Sequence, residues 1–253
     1  MLRAIIWDVD GTLAETERDG HRVAFNRAFE EFGMPWHWSE DRYGDLLQVP
    51  GGRERLLADM AAHPDALRDD DERMALATTL HRLKNAHYAR LVTDGAVQLR
   101  AGVRELMEDC RRLGVQMAIA TTTSRSNVEA LIDTCLGRDG RARFAAIVCA
   151  EDAPAKKPDP QVYTLCLRRL GVAGHEAIAV EDSPAGVAAA RAAGVPVVVT
   201  RSRYFAAARI CGALAVGPGL DSIAGWTPRT GRAGRVTLTQ LMAWREALLK
   251  LSA

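Results

Sequence analysis

Apolar positions recur along this chain in two spacings. Leu2 to Trp7 form a nearly continuous apolar run, the pattern of a strand covered on both faces. Val23, Phe25, Ala28, Phe29 and Phe32 then follow at helical spacing until Gly33 stops the helix. From Asp41 to Leu99 the residues are rich in Ala, Leu, Arg and Asp, with helix-like patterning and breaks at "VPGGR" and "HPDA". Nothing there reads as a strand. Beyond Arg100 the pattern alternates: helix "VRELMEDCRRLG", strand "VQMAIA", helix "NVEALIDTCL", strand "FAAIVCA", helix "PQVYTLCLRRLG", strand "AIAV", helix "PAGVAAARAAG", strand "VPVVVT". Such alternation calls for a parallel sheet with helices on both faces, which the first strand joins.

The expected fold class is therefore α/β: a Rossmann-like parallel-sheet core flanked by helices, with an inserted helical cap domain. Residues 1–13 and 98–225 are assigned to the core and 14–97 to the cap. Residues 226–253 are assigned to a C-terminal linker, "TPRTGRAGR", and an amphipathic helix, Leu238 to Leu249, that covers either the core or an oligomer contact.

In an open parallel sheet, ligands bind beyond the carboxyl ends of the strands. Four polar groups stand there: Asp8 and Asp10 after strand one, Thr121 to Ser124 after "MAIA", Lys156 and Lys157 after "IVCA", and Glu181 to Ser183 after "AIAV". Singly each has a plainer explanation. Asp10 and Gly11 suit a turn, Thr121 to Ser124 a helix cap, "KKPD" an exposed loop, and Ser183 with Pro184 a helix start. Together at one sheet edge they point to a site, because charged groups beside a core are costly unless they bind something.

Clustered carboxylates suggest a hard divalent cation, and Mg²⁺ is the usual choice when few carboxylates are offered. The lysine and hydroxyls beside them suggest a phosphate. With Asp10 protonated, Asp8, Glu181 and Asp182 give three negative charges against Lys157, a balance that repels a phosphate dianion until one Mg²⁺ brings it to zero. Close carboxylates also push their pKa values apart. On this reading Asp8 attacks phosphorus, while Asp10 protonates the leaving alkoxide and later serves as base for water.

Composition narrows the partners. The 253 residues carry a formal charge of +1, and no run of like charges forms a binding tail, which argues against nucleic acid. No stretch approaches the roughly 18 uncharged residues of a membrane helix. No signal-peptide pattern precedes "MLRAIIWD", so a cytoplasmic protein is expected. Cys110, Cys135, Cys149, Cys166 and Cys211 form no C-x-x-C pair and are expected to be buried free thiols.

"DVDGT", a threonine after "MAIA", "KKP" and "VEDS", in this order, resemble the four motifs of the haloacid dehalogenase (HAD)-like hydrolase superfamily. The resemblance spans Leu2 to about Thr200, and the insert is similar to that family's C1-type cap. It implies that Asp8 is the nucleophile and a Mg²⁺ ligand, and that Asp10 is the acid/base and a ligand through its backbone carbonyl. Thr121, Thr122 and Lys157 are implied to hold the phosphoryl group, and Asp182, assisted by Glu181, to complete the metal site. Trp7 stands where many members have Phe.

Longer stretches, "DVDGTLAETERDGHRVAFNRAF", "PGGRER", "ATTTSRSNVEAL" and "AVEDSPAG", resemble the CbbY subgroup, which implies a phosphatase acting on xylulose 1,5-bisphosphate. The related β-phosphoglucomutase branch shares much of the frame. A mutase therefore stays as an alternative, as does a phosphatase of another small phosphomonoester such as phosphoglycolate. A bisphosphate needs a second cationic pocket. Gly51, Gly52, Arg53 and Arg55 of "GGRER" can supply it, or can equally start a solvated helix. Glu17, His21 and Tyr43 are candidate partners for sugar hydroxyls, though His21 suits a helix interface as well. The expected partner is a small phosphorylated sugar, and the expected state a monomer or weak homodimer.

Overall fold

A computed structural model describes residues 1–62, 69–229 and 233–251. Six parallel strands make one sheet in the order β3-β2-β1-β4-β5-β6: β1 Ala4–Trp7, β2 Gln116–Ala120, β3 Ala146–Val148, β4 Ala177–Glu181, β5 Val197–Thr200 and β6 Ala215–Gly217. Side chains alternate between its faces. Ile5 and Trp7 point into one apolar layer with Leu106, Met107 and Leu131, while Ala4 and Ile6 point into the other with Tyr163, Cys166 and Val187. The first layer is covered by helices α5 Val103–Arg112 and α6 Arg125–Leu136, the second by α7 Gln161–Leu170 and α8 Pro184–Ala192.

The insert is helical, as its patterning predicts. A π-helical stretch, Glu17–Arg22, runs into α1 Val23–Phe32, followed by α2 Glu40–Leu46, α3 Gly52–Ala62 and α4 Asp70–Thr93. Gly33 adopts the left-handed conformation (φ 79°) that ends α1. Phe25, Phe29, Trp38, Tyr43, Leu56 and Leu80 form the heart of a separate apolar cluster. The expected break at "HPDA" lies outside the described residues. The two crossings between core and insert meet side by side, where Ala14 bridges Leu99 in antiparallel fashion.

The tail packs on the core. Trp226 and Trp244 stack at 4.9 Å on the first apolar layer, in α9 Leu238–Leu251 and the segment before it, and Arg235 forks onto Asp109 of α5 at 2.8 and 2.9 Å. Two features lie beyond what the pattern stated, and one expectation, that of buried cysteines, needs correction. The short strand β6 escapes the apolar pattern because it has only three residues. Phe32 shares the helical spacing of α1 but is 47% exposed at its last position. Cys211 is exposed and Cys135 only partly buried, so just Cys110, Cys149 and Cys166 are buried thiols. Among the described residues no helix is long and apolar enough to cross a membrane.

Candidate active site

The strand order reverses at β1, whose neighbours β2 and β4 lead to opposite sides, and this leaves a crevice at its carboxyl end. Asp8 stands there, buried, its N–H donating to the Val180 carbonyl at 3.0 Å. The chain then turns about the Val9 carbonyl, which accepts from Thr12, Leu13 and Ala14. Gly11 makes that turn possible at φ 79°, and a Cβ there would also strike the Asp182 carboxylate.

Lys157 places its ammonium 2.6 Å from both Asp8 Oδ1 and Glu181 Oε1, and 5.2 Å from the centre of the Tyr163 ring. Oxygens of Asp8, Glu181 and Asp182 lie within 4.8 Å of one another, all three residues buried. Burial, reinforced by Glu181 and Asp10 and opposed by Lys157, pushes Asp8 up to about 7. Burial, with Asp8 and Glu181 beside it, raises Asp182 well above the usual carboxylate range. Lys157 rises above its ordinary value because Asp8 and Glu181 outweigh its own burial. Three carboxylates against one lysine leave the pocket short of positive charge, and its hard oxygen donors fit a Mg²⁺ ion.

Glu181 and Asp10 are both already bonded within the protein. Glu181 is already engaged: Lys157 and Tyr163 (2.6 Å) both donate to Oε1, while the Asp182 N–H (3.3 Å) and Ser183 hydroxyl (3.5 Å) face Oε2. It braces Lys157 and leaves Asp8 and Asp182 as the freer donors. Asp10 lies among groups that favour its charged form. Burial raises its pKa, but His21 (2.9 Å) and Thr16 (2.5 Å) at Oδ1, with Lys84 nearby, outweigh burial and hold it well below the usual carboxylate range.

Thr121 is buried, its N–H bonded to the Val148 carbonyl (3.1 Å) and its hydroxyl accepting from the Thr123 N–H (3.2 Å). Thr122, Thr123, Ser124 and Lys156 line a cleft of about 390 Å³ that opens above Asp8. The insert forms its far wall. Glu17, His21, Gly51, Gly52, Arg53 and Arg55 all line it, but Tyr43 does not. Tyr43 is fully buried behind the wall, where its hydroxyl donates to Glu17 Oε2 (2.5 Å) and accepts from Arg55 Nη1 (3.0 Å). Arg55 is tied down further by Glu17 Oε1 (3.4 Å) and the Val49 carbonyl (3.0 Å). Arg53 is 49% exposed and pairs with Glu54 at 3.5 Å. A Cβ at Gly51 would meet the Glu54 carboxylate, and one at Gly52 the His81 ring. His21 is buried and stacked on Tyr88 at 4.2 Å, so it serves both the site and the helix interface.

Lys84 and His81 also line the cleft, and sequence reasoning passed over both. The signal was present: on α4, Leu80, Lys84 and Tyr88 share one i, i+4 row, and a lysine amid that buried stripe is out of place. The Lys84 ammonium lies over the rings of Phe25 (5.2 Å) and Tyr88 (5.3 Å), and burial lowers its pKa to about 8. Tyr163, beneath Glu181, sits at a helical core position that gives no hint of its hydroxyl's role.

The model of the haloacid dehalogenase-like hydrolase family matches residues 2–194. The plasmid-borne protein CbbY of Cupriavidus necator is 42% identical over 256 residues, spanning 98% of each chain. A crystal structure of a CbbY mutant from Rhodobacter sphaeroides in complex with xylulose-(1,5)bisphosphate superposes with a TM-score of 0.83 at 34% identity, covering 95% of this chain and 99% of that one. The β-phosphoglucomutase of Clostridium difficile shares the fold, with a TM-score of 0.73 at 16% identity over 99% of this chain and 100% of its own.

Proposed function

The chain belongs to the haloacid dehalogenase-like hydrolases, as a phosphoric monoester hydrolase, and from that premise we propose that it removes a phosphate from xylulose 1,5-bisphosphate with the aid of Mg²⁺. The observation that carries the proposal is the pairing of two charged walls across one cleft. Buried Asp8, Asp182 and Lys157 stand on the core side, and Arg53, Arg55 and Lys84 on the side of the insert, with His81 beside them as a neutral hydrogen-bonding group. One wall suits the reacting phosphate and the other a second anion. The complex of the Rhodobacter relative with that bisphosphate supports the choice of substrate.

Asp8 and Asp182, with the Asp10 carbonyl, would hold the Mg²⁺, which supplies the positive charge that keeps Asp8 ionised and offsets the phosphate. Asp8 attacks phosphorus and forms an aspartyl phosphate, while Lys157 and the Thr121–Thr122 segment steady the phosphoryl oxygens. Asp10 must take up a proton as substrate enters and turn it over to the departing sugar oxygen, so its contacts with His21 and Thr16 have to yield. Once ionised again, as in the arrangement described above, Asp10 takes a proton from the water that hydrolyses the intermediate.

The test is phosphate release from a panel of sugar phosphates with and without Mg²⁺. Xylulose 1,5-bisphosphate is expected to give the highest kcat/KM. Preference for phosphoglycolate, or interconversion of glucose 1- and 6-phosphates without phosphate release, would replace the proposal with one of those activities.

A further inference from the structure

The loop after β5, residues 201–208, belongs to the core by position and packs on the insert. Arg201 gives it its shape: Nη1 reaches the carbonyls of Phe205 (3.2 Å), Ala206 (2.9 Å) and Ala208 (2.9 Å). A loop closed on its own arginine can hold two aromatic side chains outward. Tyr204 and Phe205 are those side chains, half-buried against the apolar cluster of the insert. The Tyr204 ring lies 5.8 Å from that of Tyr43, and Gly44 passes so close that a Cβ would sit 3.3 Å from Tyr204.

The two residues do different things. The Tyr204 hydroxyl is buried without a hydrogen-bond partner among the described residues, so the contact is made by its ring alone. Through Tyr43 that contact reaches Glu17 and Arg55, which face the cleft. Phe205 enters the cleft itself and, with Leu47 and Pro50, gives an otherwise charged cavity one apolar side. Such a side suits the C–H face of a carbon chain whose two ends are anchored by charge.

Resting on the sugar-phosphate reading above, we infer that Phe205 is a specificity-determining residue supplied by the core, and that Tyr204 is a positioning residue that fixes Glu17 and Arg55 through Tyr43. A substrate with a carbon chain feels Phe205, whereas a small activated ester that needs only the metal-side wall does not depend on it to the same degree.

Phe205→Ala, Tyr204→Ala and Tyr204→Phe variants of the full chain, assayed with Mg²⁺ on xylulose 1,5-bisphosphate and on p-nitrophenyl phosphate, test this. For Phe205→Ala the ratio of kcat/KM between the two substrates is expected to fall about tenfold, carried mostly by KM, in line with the loss of about 1–2 kcal/mol of apolar contact. Tyr204→Ala should do the same and also speed amide hydrogen exchange over Tyr43–Leu47. Tyr204→Phe should restore both readouts, because no hydrogen bond is lost. Equal effects on both substrates, or none, would overturn the specificity role. Exchange unchanged by Tyr204→Ala would overturn the positioning role. A parent that hydrolyses p-nitrophenyl phosphate but not the bisphosphate would refute the substrate reading instead. In that case the exchange measurement alone decides for Tyr204, and the same ratio measured on whichever sugar phosphate the panel selects decides for Phe205.

Discussion

The two walls of the cleft are built by opposite means. On the core side, Asp8, Lys157, Glu181 and Asp182 are at most 7% exposed, and strands that cannot shift without breaking the sheet hold them in place. On the side of the insert, Arg53 and Glu54 stand half in solvent at the start of a helix. Glu17 and Arg55 are fixed instead by a tyrosine behind them. The chemistry thus sits where geometry is rigid and desolvation is strong. The residues proposed for recognition sit on helices of the insert, where one partly exposed residue can be exchanged without collapsing a core.

The largest effects should come from breaking the rigid wall. Asp8→Asn is expected to abolish turnover, since it removes the carboxylate held at the end of β1 beside Lys157, and single-turnover phosphate release would reveal any residual route. Asp10→Asn should cost roughly 10² to 10⁴ in kcat with little change in KM. Lys157→Ala would leave Asp8 and Glu181 buried without their cation, at a cost of about 3–5 kcal/mol in urea unfolding. If the protein unfolds as the parent does, the ion pairs at 2.6 Å contribute nothing net.

The same wall sets a pH dependence whose sign is fixed. The folded protein raises Asp8 from 3.8 to about 7, so it holds that proton longer than the unfolded chain does. The contribution of Asp8 is then fully present below about pH 4 and is lost as pH rises through about 7. Metal-free protein should lose urea resistance over that interval, and added Mg²⁺ should return it. A flat profile would mean that Lys157 alone balances the cluster.

The rigid wall was also the readable one. A strand ends where its apolar run ends, so Asp8, Thr121, Lys157 and Asp182 could be placed at one edge from periodicity alone, before any side chain was seen. The reading did not reach the partners of each group. Asp10 faces His21 and Thr16 across a turn, and Glu181 faces Tyr163 from a helix beneath it, contacts that no local pattern encodes. On the insert, helical spacing named the cluster but not its exceptions: Tyr43 looked like a sugar ligand and is a core residue, and Lys84, which drew no notice, is buried in the cleft. Tyr204 and Phe205 come from a loop without periodicity, some 160 residues from the tyrosine they support.

Arg53 and Arg55, two residues apart, sharpen the contrast within the second wall. Arg55 is 11% exposed and holds Glu17, Tyr43 and the Val49 carbonyl, so Arg55→Ala should lower stability by about 2–4 kcal/mol as well as weaken bisphosphate binding. Arg53→Ala should leave the unfolding midpoint within about 0.5 kcal/mol and raise only the KM for the bisphosphate. Equal stability losses in the two variants would show that burial does not distinguish them.

A second pH effect is expected at His81, and its sign is opposite to that of Asp8. Burial, with Lys84, His21, Arg53 and Lys156 around it, lowers His81 from 6.5 to about 3. The folded protein resists a proton that the unfolded chain accepts. Its contribution is therefore present above about pH 6.5 and is lost as pH falls toward 3. His81→Gln removes that loss while keeping a polar group beside Gly52. Between pH 6 and 4 the variant should fall off less steeply than the parent in urea, while the part of the profile set by Asp8 stays in place. If instead both parts shift together, the two walls titrate as one unit and the division between a rigid and a more exposed side does not extend to their charges.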